Sequence, residues 1–296
     1  MTLEQLHIFL SVAERQHLTK GAAAIGLTPS AVSASIKALE ASFNVRLFER
    51  VGRGIELTQA GRLLVGEAKA ILSRANATEL LLSEFGGLKR GTLSVCASQT
   101  IASYWLPQRL MLFHRAYPEI TVKMAVGNTR TAAQAVLDGT AEIGFIEGTI
   151  DEPALLSTLL AYDQLVIVLD ARHPLARQTA ENLKGALLET SWIMREEGSG
   201  TRSQFEAALA ALSIDTKALK IALTLPSNEA ILSALPESGC AAALSRTAAA
   251  PLIDAGRLRA VDIEIPRRAF MSVKHKERGE SAAARELRRI CQTVPS

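Results

Sequence analysis

Cysteine, aromatic residues and net charge are all scarce in this chain, and each shortage removes a class of function. Three cysteines, Cys96, Cys240 and Cys291, lie far apart with no Cys-x-x-Cys or Cys/His spacing. That excludes a disulfide framework and a zinc site, and leaves small buried hydrophobes as the ordinary reading, with a redox switch at Cys96 as the sharper one. The five histidines are scattered too, so no metal site is expected. Phosphate-loop and dinucleotide fingerprints are missing, and no cofactor is expected. A formal net charge of +3 is too small for a general polyanion binder, so any contact with nucleic acid has to come from a local patch. No apolar run could span a bilayer, and the first residues lack the charged-then-apolar order of a signal peptide. A soluble, cytoplasmic protein without a membrane partner is expected. With 296 residues, two domains can each build a core.

What is present begins with residues Thr19 to Phe43: a short helix, a tight Gly26-Leu27-Thr28 turn, and a second helix with two opposite faces. Thr28 can cap that helix with its hydroxyl, and Pro29 suits its first position. Val32, Ile36, Leu39 and Phe43 follow a 4-3-4 spacing and predict one buried stripe. Ser30, Ser33, Ala34 and Lys37 point the other way, and small hydroxyls with one cation suit a DNA major groove. Two readings stand open: a helix-turn-helix, or two packed helices with an ordinary polar face. Ahead of them, Thr2 and Gln5 form a capping-box pattern, and Leu6, Phe9, Leu10 and Ala13 give a core face. Behind them, Arg46 to Leu57 reads as two short strands around a glycine-rich tip, a wing. Arg50 and Arg53 there, with Arg46 and Arg62 close by, make the local cationic patch; a guanidinium can reach a phosphate or the minor groove.

Residues Ala22 to Ser33, then Leu39-Glu40, Leu47-Phe48-Glu49-Arg50 and Leu57-Thr58-Gln59-Ala60-Gly61 resemble the LysR-type transcriptional regulators, and the resemblance runs over nearly the whole chain. It implies double-stranded DNA as a partner, with Thr28, Ser30, Ser33, Ala34, Lys37, Arg50 and Arg53 facing it. Many members carry Arg-Gln where this chain has Ala34-Ser35, so bidentate base contacts from those positions are lost here. Ser30, Ser33, Lys37 or DNA shape must do more of the reading.

From Thr58 to Lys89 the pattern becomes one long helix. Leu64, Ala68, Ile71, Ala75, Thr78, Leu82 and Phe85 alternate by four and three, the seam of a coiled coil, or equally a helix packed on its own domain. Some 30 residues at 1.5 Å each would reach roughly 45 Å. In the family this helix dimerises the chain, and the resemblance implies a dimer and a tetramer. Gly86-Gly87 breaks it. The expected division is residues 1–58 for the DNA-binding domain, 59–90 for the linker helix and hinge, and 91–296 for the rest.

That last region alternates strand and helix. Strands are expected at Thr92 to Ala97, Ile120 to Val126, Ile143 to Ile146, Leu165 to Leu169, Trp192 to Arg195 and Ile221 to Leu225. Helices are expected at Trp105 to Tyr117 and Thr201 to Leu212. The fold class is α/β overall, with an all-α winged helix-turn-helix at the N-terminus. The two series look like the two lobes of the family's periplasmic-binding-protein-like effector domain. Lobe I covers about 91–162 and 268–296, and lobe II about 163–267.

Ligands in such sheets favour the carboxyl ends of strands. Ser98 and Thr100, Asn128 and Thr129, Arg195 with Ser199, Thr201 and Arg202, and Asn228 all fall at such ends. Hydroxyls and free N–H groups at helix starts attract anions, although Ser, Thr and Asn are also ordinary caps. Together they predict a small, polar, anionic effector. Glu147 stands among them, either as a ligand contact or as a lobe-to-lobe bridge to Arg195 or Arg202. These segments are similar to the family branch regulating sulfur assimilation, sulfite response and carbon-fixation operons. That implies an inorganic oxyanion or a small phosphorylated or carboxylated metabolite.

The competing class is a small-anion-metabolising α/β enzyme. Ser199 between two glycines invites a nucleophile reading, yet the Gly-x-Ser-x-Gly spacing is absent and no histidine lies near in sequence. A solute-binding transport protein would need a signal peptide. For a regulator, Lys37→Ala or Arg53→Ala should weaken DNA binding and flatten its salt dependence by about one unit of log–log slope. An unchanged slope, read from binding isotherms at several salt concentrations, refutes the phosphate contacts.

Overall fold

The computed structural model describes residues 1–51, 54–85, 90–174, 183–261, 263 and 265–293. Arg53 and the Gly86-Gly87 break lie outside them. The N-terminal head starts with α1 (Leu3–Arg15), whose capping box is complete: Gln5 N donates to Thr2 Oγ1 at 3.1 Å, and Thr2 N to Gln5 Oε1 at 2.9 Å. Its buried face carries Leu6, Phe9, Leu10, Val12 and Ala13. Next come α2 (Leu18–Ala24) and α3 (Pro29–Phe43), bent by 106° across a turn in which Gly26 takes φ +68°. That angle is the helix-turn-helix range, and a left-handed turn residue favours glycine. Gly21 lets α2 lie against α1, since a Cβ there would stand 2.8 Å from Val12 Cγ2.

The wing forms as β1 (Phe48–Val51) and β2 (Gly54–Leu57), antiparallel with Phe48 opposite Leu57. Glu40 on α3 accepts the N–H groups of Leu47 at 2.7 Å and Phe48 at 3.2 Å, fastening α3 to the base of the wing. One expectation fails on α3. Val32, Ile36 and Leu39 are buried, but Phe43 is 57% exposed. The head's core closes at Leu39 and Leu47, and left-handed Asn44 ends the helix just past Phe43.

The long helix α4 (Gln59–Phe85) does not present one continuous free seam. Leu64, Ala68 and Ile71 pack into the head's own core with Leu6, Phe9 and Leu10, while Thr78 and Leu82 face outward. Gly61 is pressed against Leu47 O, where a Cβ would stand within 2.2 Å.

Beyond α4 the chain runs β3 (Gly91–Ser98), α5 (Leu106–Ala116), β4 (Ile120–Gly127), α6 (Thr129–Leu137), β5 (Ile143–Glu147) and β6 (Leu155–Asp163). It crosses to β7 (Leu165–Asp170), α7 (Leu183–Glu189), β8 (Ser191–Arg195), α8 (Gly200–Ala211), β9 (Lys220–Leu225), α9 (Asn228–Ala234), β10 (Cys240–Ser245), α10 (Arg246–Asp254) and β11 (Leu258–Ala260). It then returns through β12 (Arg268–His275) and α11 (Ala282–Thr293). Two five-stranded sheets result, ordered β4-β3-β5-β12-β6 and β11-β7-β10-β8-β9. The expected helix start at Trp105 is preceded by a π-helical turn over Ile101–Trp105, a feature frequent at functional sites.

Strands β3, β4 and β5 run parallel, so Ser98, Gly127 and Glu147 end on one edge of the first sheet. Strands β8 and β9 do the same in the second, and β10 runs parallel to β8. Central β7 and β10 are buried throughout, which explains their unbroken apolar sequences. The first core gathers Leu93, Ile101, Trp105, Phe113, Phe145 and Leu287, and the second is anchored by Trp192 and Phe205, 4.9 Å between ring centres. All three cysteines are buried free thiols, and burial pushes the Cys291 thiol up to about 12.

Candidate functional site

On the head, Ser30, Ala34 and Lys37 are exposed and Ser33 is half-buried, all away from the Val32–Ile36–Leu39 stripe. Thr28 is committed to the helix start: its Oγ1 accepts Ala31 N at 3.2 Å and lies 3.1 Å from Ser30 Oγ. Arg50 is exposed on β1. Arg62, part of the expected patch, folds back to donate to Leu57 O at 2.6 Å.

In the C-terminal domain the strand ends of both sheets meet, and Glu147 lies at the junction. Its carboxylate accepts Ser98 Oγ at 3.0 Å, Thr201 Oγ1 at 3.1 Å and Arg268 Nη1 at 2.5 Å. The Thr100 hydroxyl also bonds it, while accepting Asn228 Nδ2 at 2.9 Å from the other lobe. Its backbone is held by Thr129, whose Oγ1 donates to Glu147 O at 3.2 Å. Burial alone would push this carboxyl up; the Arg268 guanidinium, the Thr100 hydroxyl, Arg195 and Ser98 outweigh it and hold it below the ordinary range.

Arg268 is itself clamped. Its Nε donates to Asp163 Oδ2 at 2.8 Å, its Nη2 lies 2.6 Å from the same oxygen, and Nη1 also donates to Thr201 Oγ1 at 2.8 Å. Asp163 accepts Ser245 Oγ at 2.8 Å. Asp163 and Arg268 are register partners at the ends of β6 and β12, where the chain crosses between lobes. The expected cations go elsewhere. Arg195 chelates Glu196 at 2.8 and 3.0 Å and donates to Asn228 Oδ1 at 2.9 Å. Arg202 bonds Glu206 at 2.7 Å and donates to Arg195 O at 3.4 Å.

The remaining expected residues join lobe to lobe or cap helices. Asn128 caps α6 through Thr131 N at 3.0 Å and donates to Glu196 Oε1 at 3.3 Å. Ser199 is the buried N-cap residue of α8 but makes no side-chain capping bond. A second cluster, missed in the sequence, bridges the rim: Gln99 donates to Glu229 Oε2 at 2.5 Å and accepts Asn228 N at 3.0 Å. Tyr104 also bonds Glu229, and with burial this raises the phenol. Gly200 permits the closeness of the lobes, because a Cβ there would stand 2.7 Å from Glu147 Cβ and 2.6 Å from Thr129 Oγ1. Among the described residues no group of three or more His, Cys, Asp or Glu is arranged to hold a metal ion.

Arg268, Asp163 and Ser245 were also missed. A signal existed: Asp163 and Arg268 are charges placed at the ends of apolar strands, where a solvated face is not the ordinary outcome.

A winged helix-turn-helix carried by a long helix on a two-lobed domain with a polar junction defines a ligand-responsive DNA-binding regulator. The family model described as "Bacterial regulatory helix-turn-helix protein, lysR family" matches residues 3–62, and "LysR substrate binding domain" matches 86–295. The chain belongs to the LysR family: it is a LysR-type DNA-binding transcriptional regulator with an effector-binding domain. A relative named "Uncharacterized HTH-type transcriptional regulator YeiE" of Escherichia coli (strain K12) is 35% identical over 295 residues, covering 98% of this chain and 97% of its own. A "Probable RuBisCO transcriptional regulator" of Synechocystis sp. is 36% identical over 254 residues, covering 84% and 72%. In fold, the chain is similar to CbnR, a LysR family transcriptional regulator (TM-score 0.69, 19% identity, 99% and 100% covered), and to full-length CbnR in complex with its target DNA (TM-score 0.71, 20% identity, 98% and 100% covered). Among the described residues no single helix is long and apolar enough to cross a membrane.

The depressed Glu147 carboxyl fixes an acid dependence. A carboxyl whose folded pKa lies below its unfolded value, about 4.3, adds stability that is fully present above that value. The contribution is lost as pH falls through the lower, folded pKa. Urea denaturation should therefore show a steeper loss of stability below about pH 4.3 for the wild type than for Glu147→Gln. Parallel acid limbs contradict the assignment.

Proposed function

We propose that the effector is a small polar anion and that its seat is the one now held by the Glu147 carboxylate. The observation that carries this is the convergence of Ser98, Thr201 and Arg268 on one carboxylate at 2.5–3.1 Å, from both lobes. Hydroxyls and a fixed guanidinium that suit a side-chain carboxylate also suit an oxyanion or a metabolite's phosphate or carboxylate. Glu147 then acts as an internal competitor. Ser98, Thr100, Thr201 and Arg268 are the primary contacts; Asn128, Thr129, Arg195, Ser199, Arg202 and Asn228 position the lobes around them. An inorganic oxyanion or a small phosphorylated or carboxylated metabolite fits such a seat.

Displacing Glu147 frees Thr201 and the Gly200 contact, so ligand shifts the population of lobe arrangements and through it the spacing of the DNA-binding heads. Double-stranded DNA is read by the α3 face of Ser30, Ser33, Ala34 and Lys37, with Thr28 shaping the helix start and Arg50 and Arg53 contacting the backbone. The working division is 1–58 for the head, 59–90 for the linker, and 91–296 for the effector domain. Lobe I takes about 91–162 and 268–296, and lobe II about 163–267. Outward-facing Leu63 and Leu82 on α4, 70% and 66% exposed, support assembly of the chain into dimers; dimers then pair into a tetramer, and the cytoplasm is the expected location. The chain acts by binding rather than turnover, which the family of regulators supports.

A thermal-shift screen of the purified protein tests the effector class, using sulfite, sulfate, thiosulfate, phosphate, sugar phosphates and small carboxylates. A ligand held only by the folded state at about 100 times its Kd adds about 2.7 kcal/mol, several degrees in Tm. That shift should vanish in Ser98→Ala/Thr100→Ala while DNA binding persists. No shift with any of these anions, or a shift that survives the double substitution, refutes the proposal.

A further inference from the structure

We infer a second ligand site, for an amphipathic organic anion, in the crevice between the DNA-binding head and lobe I. The crevice is a cavity of about 580 Å³, walled by α1 and α4 on the head side and by β3 and β4 on the other. Sites for small organic molecules fall in this size range, favour domain interfaces, and combine an apolar lining with a few placed polar groups. The lining here mixes apolar residues with polar ones. Leu72 and Met124 supply apolar surface over buried Leu10 and Val95, and two exposed lysines line the crevice, Lys69 on α4 and Lys123 on β4.

Neither lysine takes part in an ion pair among the described residues; Arg15 and Glu14, which also line the crevice, pair with each other at 3.5 Å, and Arg15 donates to Ser11 O at 3.1 Å. Two unspent ammonium groups above apolar surface fit a carboxylate or sulfonate attached to a hydrocarbon or aromatic body. The interlobe junction differs on each count: its cations are spent on internal carboxylates, and its hydroxyls are already donated. An occupant of the crevice touches both the head and lobe I, so it biases the angle between them and is linked to DNA affinity.

The probe is 1-anilinonaphthalene-8-sulfonate, titrated by fluorescence into the full-length protein. Saturable binding of one probe per chain is expected. Lys69→Glu/Lys123→Glu should weaken it at least about tenfold, the equivalent of about 1.4 kcal/mol. Lys69→Arg/Lys123→Arg should retain it, and Ser98→Ala/Thr100→Ala should leave it unchanged. Circular dichroism of each variant confirms the fold. Absence of saturable binding, binding indifferent to charge reversal, or binding lost in the Ser98/Thr100 variant overturns the inference; the last outcome would place the probe in the interlobe cleft.

Discussion

The arrangement of the C-terminal domain depends on one buried guanidinium. Arg268 is 1% exposed and stands between Asp163, at its own strand end, and Glu147, where both lobes meet. Removing one partner of such a pair typically costs about 3–5 kcal/mol, because the survivor is left charged and dry. The three groups are therefore retained or lost together. Asp163 and Ser245 fix the guanidinium so that Nη1 faces Glu147 and Thr201. The hydroxyls of Ser98 and Thr201 turn towards the same carboxylate, and Gly200 leaves no room for a side chain beside it.

A contiguous run of elements joins this anchor to the DNA-reading surface. Glu40 ties α3 to the wing, and Leu64, Ala68 and Ile71 tie α4 to α1. The chain then continues from α4 towards β3, whose last residue, Ser98, bonds Glu147. Such a run transmits a change only if some element has two discrete arrangements. The lobes supply the candidate, since their contact rests on polar bonds, those to Glu147 and those of Gln99, Thr100 and Asn128 to the facing lobe, rather than on a shared apolar core. Each lobe has hydrophobic clusters of its own.

Local chemistry made much of this legible in advance. The capping box at Thr2, the Thr28 cap, Pro29 and Gly26 specify the head's helices through short-range hydrogen bonds and backbone preference, which sequence displays directly. The apolar runs at Leu165 and Trp192 gave their strands away for the same reason. Phe43 misled because periodicity says which face of a helix is apolar, not where the partner element stops. The seam on α4 was ambiguous for a related cause: the same spacing serves a coil or a domain core, and the head claimed half of it. The structure brings Ser98, Thr100, Thr129, Glu147, Thr201 and Asn228 together at the junction because strand ends converge in parallel sheets, a convergence sequence can anticipate. Arg268 and Asp163 were not anticipated, because their pairing spans 105 residues and arises only from the crossover between lobes. With Arg268 unrecognised, Arg195 and Arg202 were the natural partners to name for Glu147.

On the proposal made above, Glu147 occupies the seat of an anionic effector, held there by Arg268 and the surrounding hydroxyls. Titration calorimetry of the best-binding anion against wild type and Glu147→Gln decides it. The substitution keeps the side chain's shape and removes the competing charge, so tighter binding by at least about tenfold, or about 1.4 kcal/mol, is expected. Equal or weaker binding by the variant would contradict it, and would make Glu147 a group the effector needs rather than one it displaces.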